Sequence, residues 1–202
     1  MAYIGKVPTA VPLGTSDLAD SIVTSAKITD GTIALADLSA TGTKDATTFL
    51  RGDNTFASAG GDMTPSFKAS NSVSQSISGS TNTLMEFNTE LYDTNNTYDN
   101  TASNYKFTPA VAGKYFIYSS ISFDGIDDQE GVTIHLYKNG SEVNKSVNYQ
   151  SQSENVCQSW LTIIVDANTT DYFQIYGRQT DGGANSTRTD HGNIFMAYKI
   201  IE

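Results

Sequence analysis

Cysteine is nearly absent from this sequence, because Cys157 is the only one among 202 residues. A single cysteine excludes a framework of intramolecular disulfides, so stability has to come from packing and association. We interpret its thiol as a small buried apolar group rather than a nucleophile. Histidine is limited to His135 and His191, and no Gly-x-Ser-x-Gly turn occurs. The sequence therefore offers no catalytic triad, and we expect a protein that is not an enzyme.

Basic residues are also few, with 12 Lys and Arg against 22 Asp and Glu and a formal net charge of -10. This balance disfavours nucleic acid and anionic membranes as partners. No run of about 18 apolar residues is present, so the sequence predicts no membrane insertion. The N-terminus shows no basic segment followed by an apolar core, the pattern of a secretory signal.

Short apolar runs separated by Ser, Thr, Asn and Gly fill the chain from residue 67 onwards, and helical periodicity is nearly absent. This pattern predicts an all-β fold with about eight to ten strands, the number expected for a jelly-roll sandwich. Asn139-Gly140 between alternating residues predicts a tight hairpin. We interpret residues 90–104 as a long polar loop. The main predicted strands span residues 67–77, 83–87, 115–123, 132–137, 142–147, 159–165, 172–176 and 194–201.

The longest predicted strand, 115–123, is apolar on both sides. Strand side chains alternate, so Tyr115 and Ile117 point to one side while Phe116 and Tyr118 point to the other. One side can pack against a second sheet. The other needs a partner, which we interpret as another copy of this chain.

The first third of the chain has a different composition, with three aromatic residues in 1–66 against eighteen in 67–202. We expect an arm at 1–15, a trimeric stalk or neck at 16–61 and a head at 62–202. Two prolines favour an extended arm that anchors the protein. The expected anchor residues are Tyr3, Ile4, Val7, Pro8, Val11, Pro12 and Leu13.

Apolar residues in the stalk segment recur about every five or six positions, which fits neither a helix nor a strand. The spacing fits a thin fibre in which three chains share an apolar axis. A disordered linker is the alternative. The residues expected at this axis are Ile22, Ile28, Ile33 and Leu38, followed by Phe49 and Phe56.

The segment SDLADSIVTSAKITDGTIALADLSATGTKDATTFLRGDNTF resembles the N-terminal and neck region of bacteriophage tail or head fibres. The resemblance implies attachment to the virion at the N-terminus and a slender trimeric stalk. Its most specific part is TFLRGDNTF, although such fibres often carry tryptophan where this chain has Phe56. We interpret Arg51-Gly52-Asp53 as part of a turn rather than as an integrin-binding motif.

A second resemblance covers residues 67–202. NYKFTPAVAGKYFIYSSISF, IHLYKNGSEV, SWLTIIVDANTTDYFQIY and NIFMAYKII resemble the complement-type globular head domain, a relative of tumour necrosis factor. Phe107, Gly113 and Tyr115 stand at matching places, whereas Ile117 replaces a usual Phe and Ala112 a frequent Pro. The resemblance implies a jelly-roll homotrimer with aromatic residues near its threefold axis, which adds Phe116 and Tyr118 to the expected trimer interface.

Three polar loops, 92–104, 124–131 and 177–192, are candidates for host contact, with plain solvated loops as the alternative. The candidate residues are Asp127, Asp128, Arg178, Asp181, Asn185, Arg188 and Asp190. The acidic turn 124–130 has oxygen ligands that suit calcium but lacks the spacing of an EF-hand. No other cofactor is expected.

These patterns together predict a structural virion fibre of a bacteriophage. We expect a homotrimer held to other virion proteins by its arm, with a head that binds a glycan or protein on the host surface. The alternative is a head fibre or capsid decoration protein without receptor binding. A depolymerase and a secreted eukaryotic complement-like adhesion protein rank below these, the latter because signal segment and collagen repeats are missing.

Overall fold

The computed structural model describes residues 19–34, 37, 39–58, 63–151, 155–190 and 192–200. The chain divides into two compact units, Met1–Ala59 and Gly60–Glu202. The expected arm, with all seven anchor residues, lies outside the described residues, as does Leu38. The two units are described separately.

The N-terminal unit contains a 3-10 turn at Ser25–Lys27 and an antiparallel hairpin of β1 (Thr48–Leu50) and β2 (Phe56–Ser58). The Arg51 amide donates to the Thr55 carbonyl at 2.8 Å, and Asn54 adopts a positive φ of 61°. The predicted turn between Leu50 and Phe56 is therefore confirmed.

Few side chains in this unit are shielded from solvent. Ile22, Ile28, Ile33 and Phe49 are exposed, and Phe56 is half-buried. Of the residues described here, Ala40 alone is buried. The unit thus has no core of its own within its described part, as its composition indicated, while the shared trimer axis stays a prediction.

The second unit is built from strands, and its described residues contain no α-helix. In chain order the strands are β3 (Ser66–Ser70), β4 (Ser76–Ser78), β5 (Thr83–Leu84), β6 (Thr89–Asp93), β7 (Tyr98–Asp99), β8 (Lys106–Phe107), β9 (Gly113–Asp124), β10 (Gly131–Lys138), β11 (Ser141–Tyr149), β12 (Val156–Ala167), β13 (Phe173–Gln179), β14 (Ala184–Thr187) and β15 (Ile194–Lys199). The all-β prediction is confirmed.

The strands form two antiparallel sheets. The seven-stranded sheet runs β4-β14-β9-β15-β3-β6, and β12 pairs with the other edge of β9. The six-stranded sheet runs β11-β10-β13-β8-β7, with β5 also paired to β13. Because β9 pairs with β12 along its whole length and with β15 on its opposite edge, it is the central strand of its sheet.

The β10–β11 hairpin shows how local sequence sets the register. Asn139 and Gly140 have φ of 53° and 78°, and Lys138 pairs with Ser141 across the turn. Two successive positive φ values define the type I′ turn that Asn-Gly favours, because its twist matches that of the strands. The predicted hairpin is confirmed.

The core lies between the two sheets. Tyr115, Ile117, Ile121 and Phe123 of β9 have no exposed surface, which confirms the predicted inner face of this strand. The facing sheet contributes buried residues that include Val132, Ile134, Leu136, Phe173 and Ile175. The ring of Phe67 stacks on those of Tyr98 and Phe107, with centroids 4.7 Å apart in each pair.

Three sequence assignments were wrong in detail. Residues 90–104 are not one loop, because β6 and β7 lie within them and the Asp93 carboxylate holds the turn by accepting from the amides of Thr97 and Tyr98. Residues 177–192 include the end of β13 and all of β14. The strand predicted at 67–77 is two strands, β3 and β4. Polar strands such as β14 lack the apolar alternation by which strands are recognised.

Candidate functional site

The outer surface of the seven-stranded sheet carries a group of apolar side chains that the core does not use. We define the aromatic face as Phe116 and Tyr118 of β9, Trp160 and Ile164 of β12, and Met196 and Tyr198 of β15. These six residues alternate with buried ones along their strands, so they point away from the core.

The strand register brings the members of the aromatic face together. Phe116 lies between Ile164 on β12 and Tyr198 on β15, and the rings of Phe116 and Tyr198 stack with centroids 5.1 Å apart. Tyr118 is the pairing partner of Met196. Trp160 and Ile164 are 56% and 59% exposed. A contiguous exposed apolar patch is typical of an interaction site.

The border of this face is polar. On β3, Ser66 pairs with Tyr198 and Lys68 pairs with Met196. An apolar centre with a polar rim is the usual anatomy of a protein interface. Phe116 and Tyr118 thus lie where the sequence predicted an association surface, although the single chain does not test the trimer.

Sequence reasoning missed four members of this face, namely Trp160, Ile164, Met196 and Tyr198. The alternation in SWLTIIV already separates Trp160 and Ile164 from Leu161, which is buried. That these residues lie next to Phe116 depends on the pairing of β9 with β12 and β15, which no local sequence pattern specifies.

The candidate host-contact residues do not form one site. Arg188 donates to both carboxylate oxygens of Asp190, at 3.0 and 2.7 Å, and also pairs with Asp124 at the end of β9. These partners, Asp190 first, raise the pKa of the Arg188 guanidinium. Arg188 therefore links the end of β9 to the segment that follows β14, and its guanidinium bonds to carboxylates of the same chain.

The remaining candidates lie in three places. Asn185 in β14 donates to the Asp181 carboxylate at 2.9 Å, and this bond lowers the pKa of Asp181. Asp127 and Asp128 are exposed in the turn after β9. Arg178 lies in β13 of the six-stranded sheet, not in a loop, which corrects the sequence assignment. Their role in host contact stays a prediction.

A polar cavity of about 530 Å³ opens beside β7 and includes Tyr98, Asp99 and Lys106 in its lining. The Asp99 carboxylate accepts hydrogen bonds from the amide and hydroxyl of Thr101, which lower its pKa. Because the Asp99 carboxylate is bonded within its own turn, we assign it a structural role in that turn.

Within the described residues, no group of three or more His, Cys, Asp or Glu side chains is placed to hold a metal ion. Calcium at the acidic turn after β9 remains an untested expectation. The same described residues include no helix with the length and apolar character needed to cross a membrane.

The chain is similar to several proteins of known structure and to one known domain family. Solved structures similar to this chain include the globular domain of zebrafish complement 1qA protein (17% identity, 67% of this chain and 97% of that chain, TM-score 0.48). Others are Eiger TNF from S. frugiperda (12% identity, 67% of this chain and 90% of that chain, TM-score 0.47) and murine APRIL (12% identity, 67% of this chain and 98% of that chain, TM-score 0.49). No curated protein matches the chain. The sequence pattern of the C1q domain matches residues 66–196, and the chain therefore belongs to the C1q domain family.

Proposed function

We propose that this protein is a homotrimeric fibre protein of a bacteriophage virion, held to the particle by its N-terminus and contacting the host surface through its C1q head. The head is a binding module without enzymatic activity. Its partners are two further copies of the chain, other virion proteins, and a glycan or protein on the host cell.

The aromatic face is the observation that carries the proposal. C1q domains typically form homotrimers, and many bind ligands. In this chain, Phe116, Tyr118 and Trp160 lie on the outer side of the seven-stranded sheet, and Trp160 is 56% exposed. Two further copies would bury this surface, and removing apolar area from water contributes about 25 cal/mol for each Å² before the entropic costs of association.

The N-terminal unit supports the fibre role. Its described part buries only Ala40, while Ile22, Ile28 and Ile33 remain exposed. Such a segment gains a core only by joining other chains, which fits the phage fibre necks that residues 16–56 resemble. The virion is therefore the location we propose.

The first experiment is to purify the full-length chain and measure its mass by light scattering. The proposal expects three times the 21.7 kDa of one chain. The same protein is then added to host cells before the parent phage. Dose-dependent blocking of adsorption supports host contact by the head, while a trimer that neither binds cells nor blocks adsorption indicates a decoration protein. A monomer at micromolar concentration refutes the trimeric fibre.

A further inference from the structure

The outer face of the six-stranded sheet has a cavity of about 400 Å³ that is separate from the aromatic face. We define the His135 pocket by its lining residues, Thr133, His135, Lys145, Val147, Tyr149 and Arg178. They come from three adjacent strands, because β10 lies between β11 and β13. Lys145 is the pairing partner of His135, and Arg178 is that of Thr133.

Small residues in the central strand make this surface concave. Gly131 pairs with Tyr149, whose ring lies 2.9 Å from the position that a Cβ on Gly131 would occupy. Thr133 follows on the same face, and its neighbours Arg178 and Val147 have larger side chains. The pocket is thus a trough along β10 with taller walls on both sides.

His135 lies at the base of this trough and is 5% exposed. Its Nδ1 is 2.6 Å from Oε2 of Glu142, and this bond is the main cause of the lowered pKa of the Glu142 carboxyl. A carboxylate can only accept, so Nδ1 carries the proton. The Nε2 atom is buried and has no hydrogen-bond partner among the described residues. Buried ring nitrogens are normally paired, so a hydrogen-bonding ligand in the trough would satisfy this atom.

The charges around the trough favour a negative ligand. The Arg178 side chain makes no hydrogen bond or ion pair with any residue that the structure describes, so its planar guanidinium is available. Lys145 is 61% exposed with its ammonium 3.4 Å from Glu142. The only carboxylate in contact with these groups, within the described chain, is already bonded to His135 and Lys145. The pocket is therefore a local cationic site on a chain of net charge -10.

We propose that the His135 pocket binds one singly charged oxyanion group, a carboxylate or a sulfate ester, carried by an acidic sugar or present as a free ion. The Arg178 guanidinium grips the group with two parallel hydrogen bonds. His135 forms the base of the site, where Glu142 orients the imidazole through Nδ1 and leaves Nε2 for the ligand. The net negative charge of the chain disfavours a polyanion, so the ligand has one isolated charge in a largely neutral molecule.

The acidic-sugar source rests on the proposed role in host contact, whereas the pocket itself does not. Titration calorimetry on the full-length protein would therefore use four probes, namely a glucuronate-containing disaccharide, a neutral glucose disaccharide, sodium acetate and sodium methyl sulfate. Arg178→Gln and His135→Gln are compared with Arg51→Gln, which removes the same charge from an exposed side chain of the N-terminal unit. Thermal unfolding of each variant checks that it folds.

We expect the acidic disaccharide to bind and the neutral one not to, with affinity reduced about tenfold or more by Arg178→Gln and His135→Gln and unchanged by Arg51→Gln. Acetate or methyl sulfate binding as tightly as the disaccharide assigns the pocket to the free ion. The proposal is overturned if no charged probe binds, if folded Arg178→Gln binds like the wild type, or if Arg51→Gln weakens binding equally. Binding of the disaccharide without blocking of phage adsorption supports the pocket and refutes its role in host contact.

Discussion

Replacing Asp171 by Asn should destabilise the head by about 2 kcal/mol at neutral pH, and the loss should disappear in acid. Asp171 precedes β13 and is 4% exposed. Its carboxylate accepts from Lys138 Nζ at 2.8 Å, from Asn139 Nδ2 at 2.7 Å and from the Asn168 amide at 2.8 Å. It therefore ties the β12–β13 turn to the tip of the β10–β11 hairpin.

The magnitude follows from the pKa of this carboxyl. The bond from Lys138, with those from Asn168 and Asn139, lowers the pKa of Asp171 from 3.8 to about 2. Each pH unit between the unfolded and folded pKa values corresponds to about 1.4 kcal/mol, which gives roughly 2 kcal/mol. Because the folded pKa is the lower one, this stability is complete above pH 3.8 and is lost as the pH falls towards 2.

The assay is urea unfolding at one fixed protein concentration, at pH 7 and at points between pH 4 and pH 2. Asp166→Asn is the matched control, since its side chain near the end of β12 is 85% exposed and pairs with Lys114 at 3.4 Å. An exposed pair of this kind contributes about 0–1 kcal/mol. The reasoning fails if Asp171→Asn costs no more than the control at pH 7, or if its cost is undiminished near pH 2.

Three further perturbations test the association face and the hairpin. Phe116→Asp should turn trimers into monomers or aggregates in light scattering, because it places three like charges together at the proposed interface. The control Val143→Asp on β11 should leave the mass unchanged. Trimers of undiminished stability in the Phe116→Asp variant would exclude Phe116 from the interface. Trp160 is the single tryptophan and is 56% exposed in one chain, so its fluorescence should shift to longer wavelength on dilution below the trimer dissociation constant, and a concentration-independent spectrum would argue against its burial. Gly140→Ala should cost about 1 kcal/mol in urea unfolding because residue 140 has a φ of 78°, while Gly182→Ala, which has open space around it, should be neutral.

The sequence predicted those parts of the fold that local chemistry decides. Asn139-Gly140 fixed a hairpin through backbone conformation, and the alternation in β9 assigned Tyr115 and Phe116 to opposite faces. Residues 90–104 and β14 were missed because Asx turns and polar edge strands resemble loops when no partner strand is known.

The two candidate sites are formed by strands that are distant in the chain, and this strand pairing could not be predicted from the sequence. The aromatic face exists because β12 and β15 flank β9 in register, and the His135 pocket exists because Arg178 and Lys145 lie beside one strand from positions 33 residues apart in the chain. His135 was correctly expected in a sheet, but its buried Nε2 could be recognised only once the neighbours were placed. Arg178 had been assigned to a loop for the same reason.

The alternation of side chains along β9 also separates the residues that stabilise the fold from those that we expect to mediate association. Gly113 has a φ of 148°, and a Cβ there would lie against the Lys199 side chain, so this motif position requires glycine. Ile117, where related domains usually have Phe, points into the core with no exposed surface, so that departure changes core packing and leaves the aromatic face untouched. Phe116 lies between the buried residues Tyr115 and Ile117, yet its side chain belongs to the aromatic face on the opposite side of the strand. Substitutions at 116 and 118 should therefore alter oligomeric state more than the stability of the isolated head, and those at 115 and 117 should do the reverse.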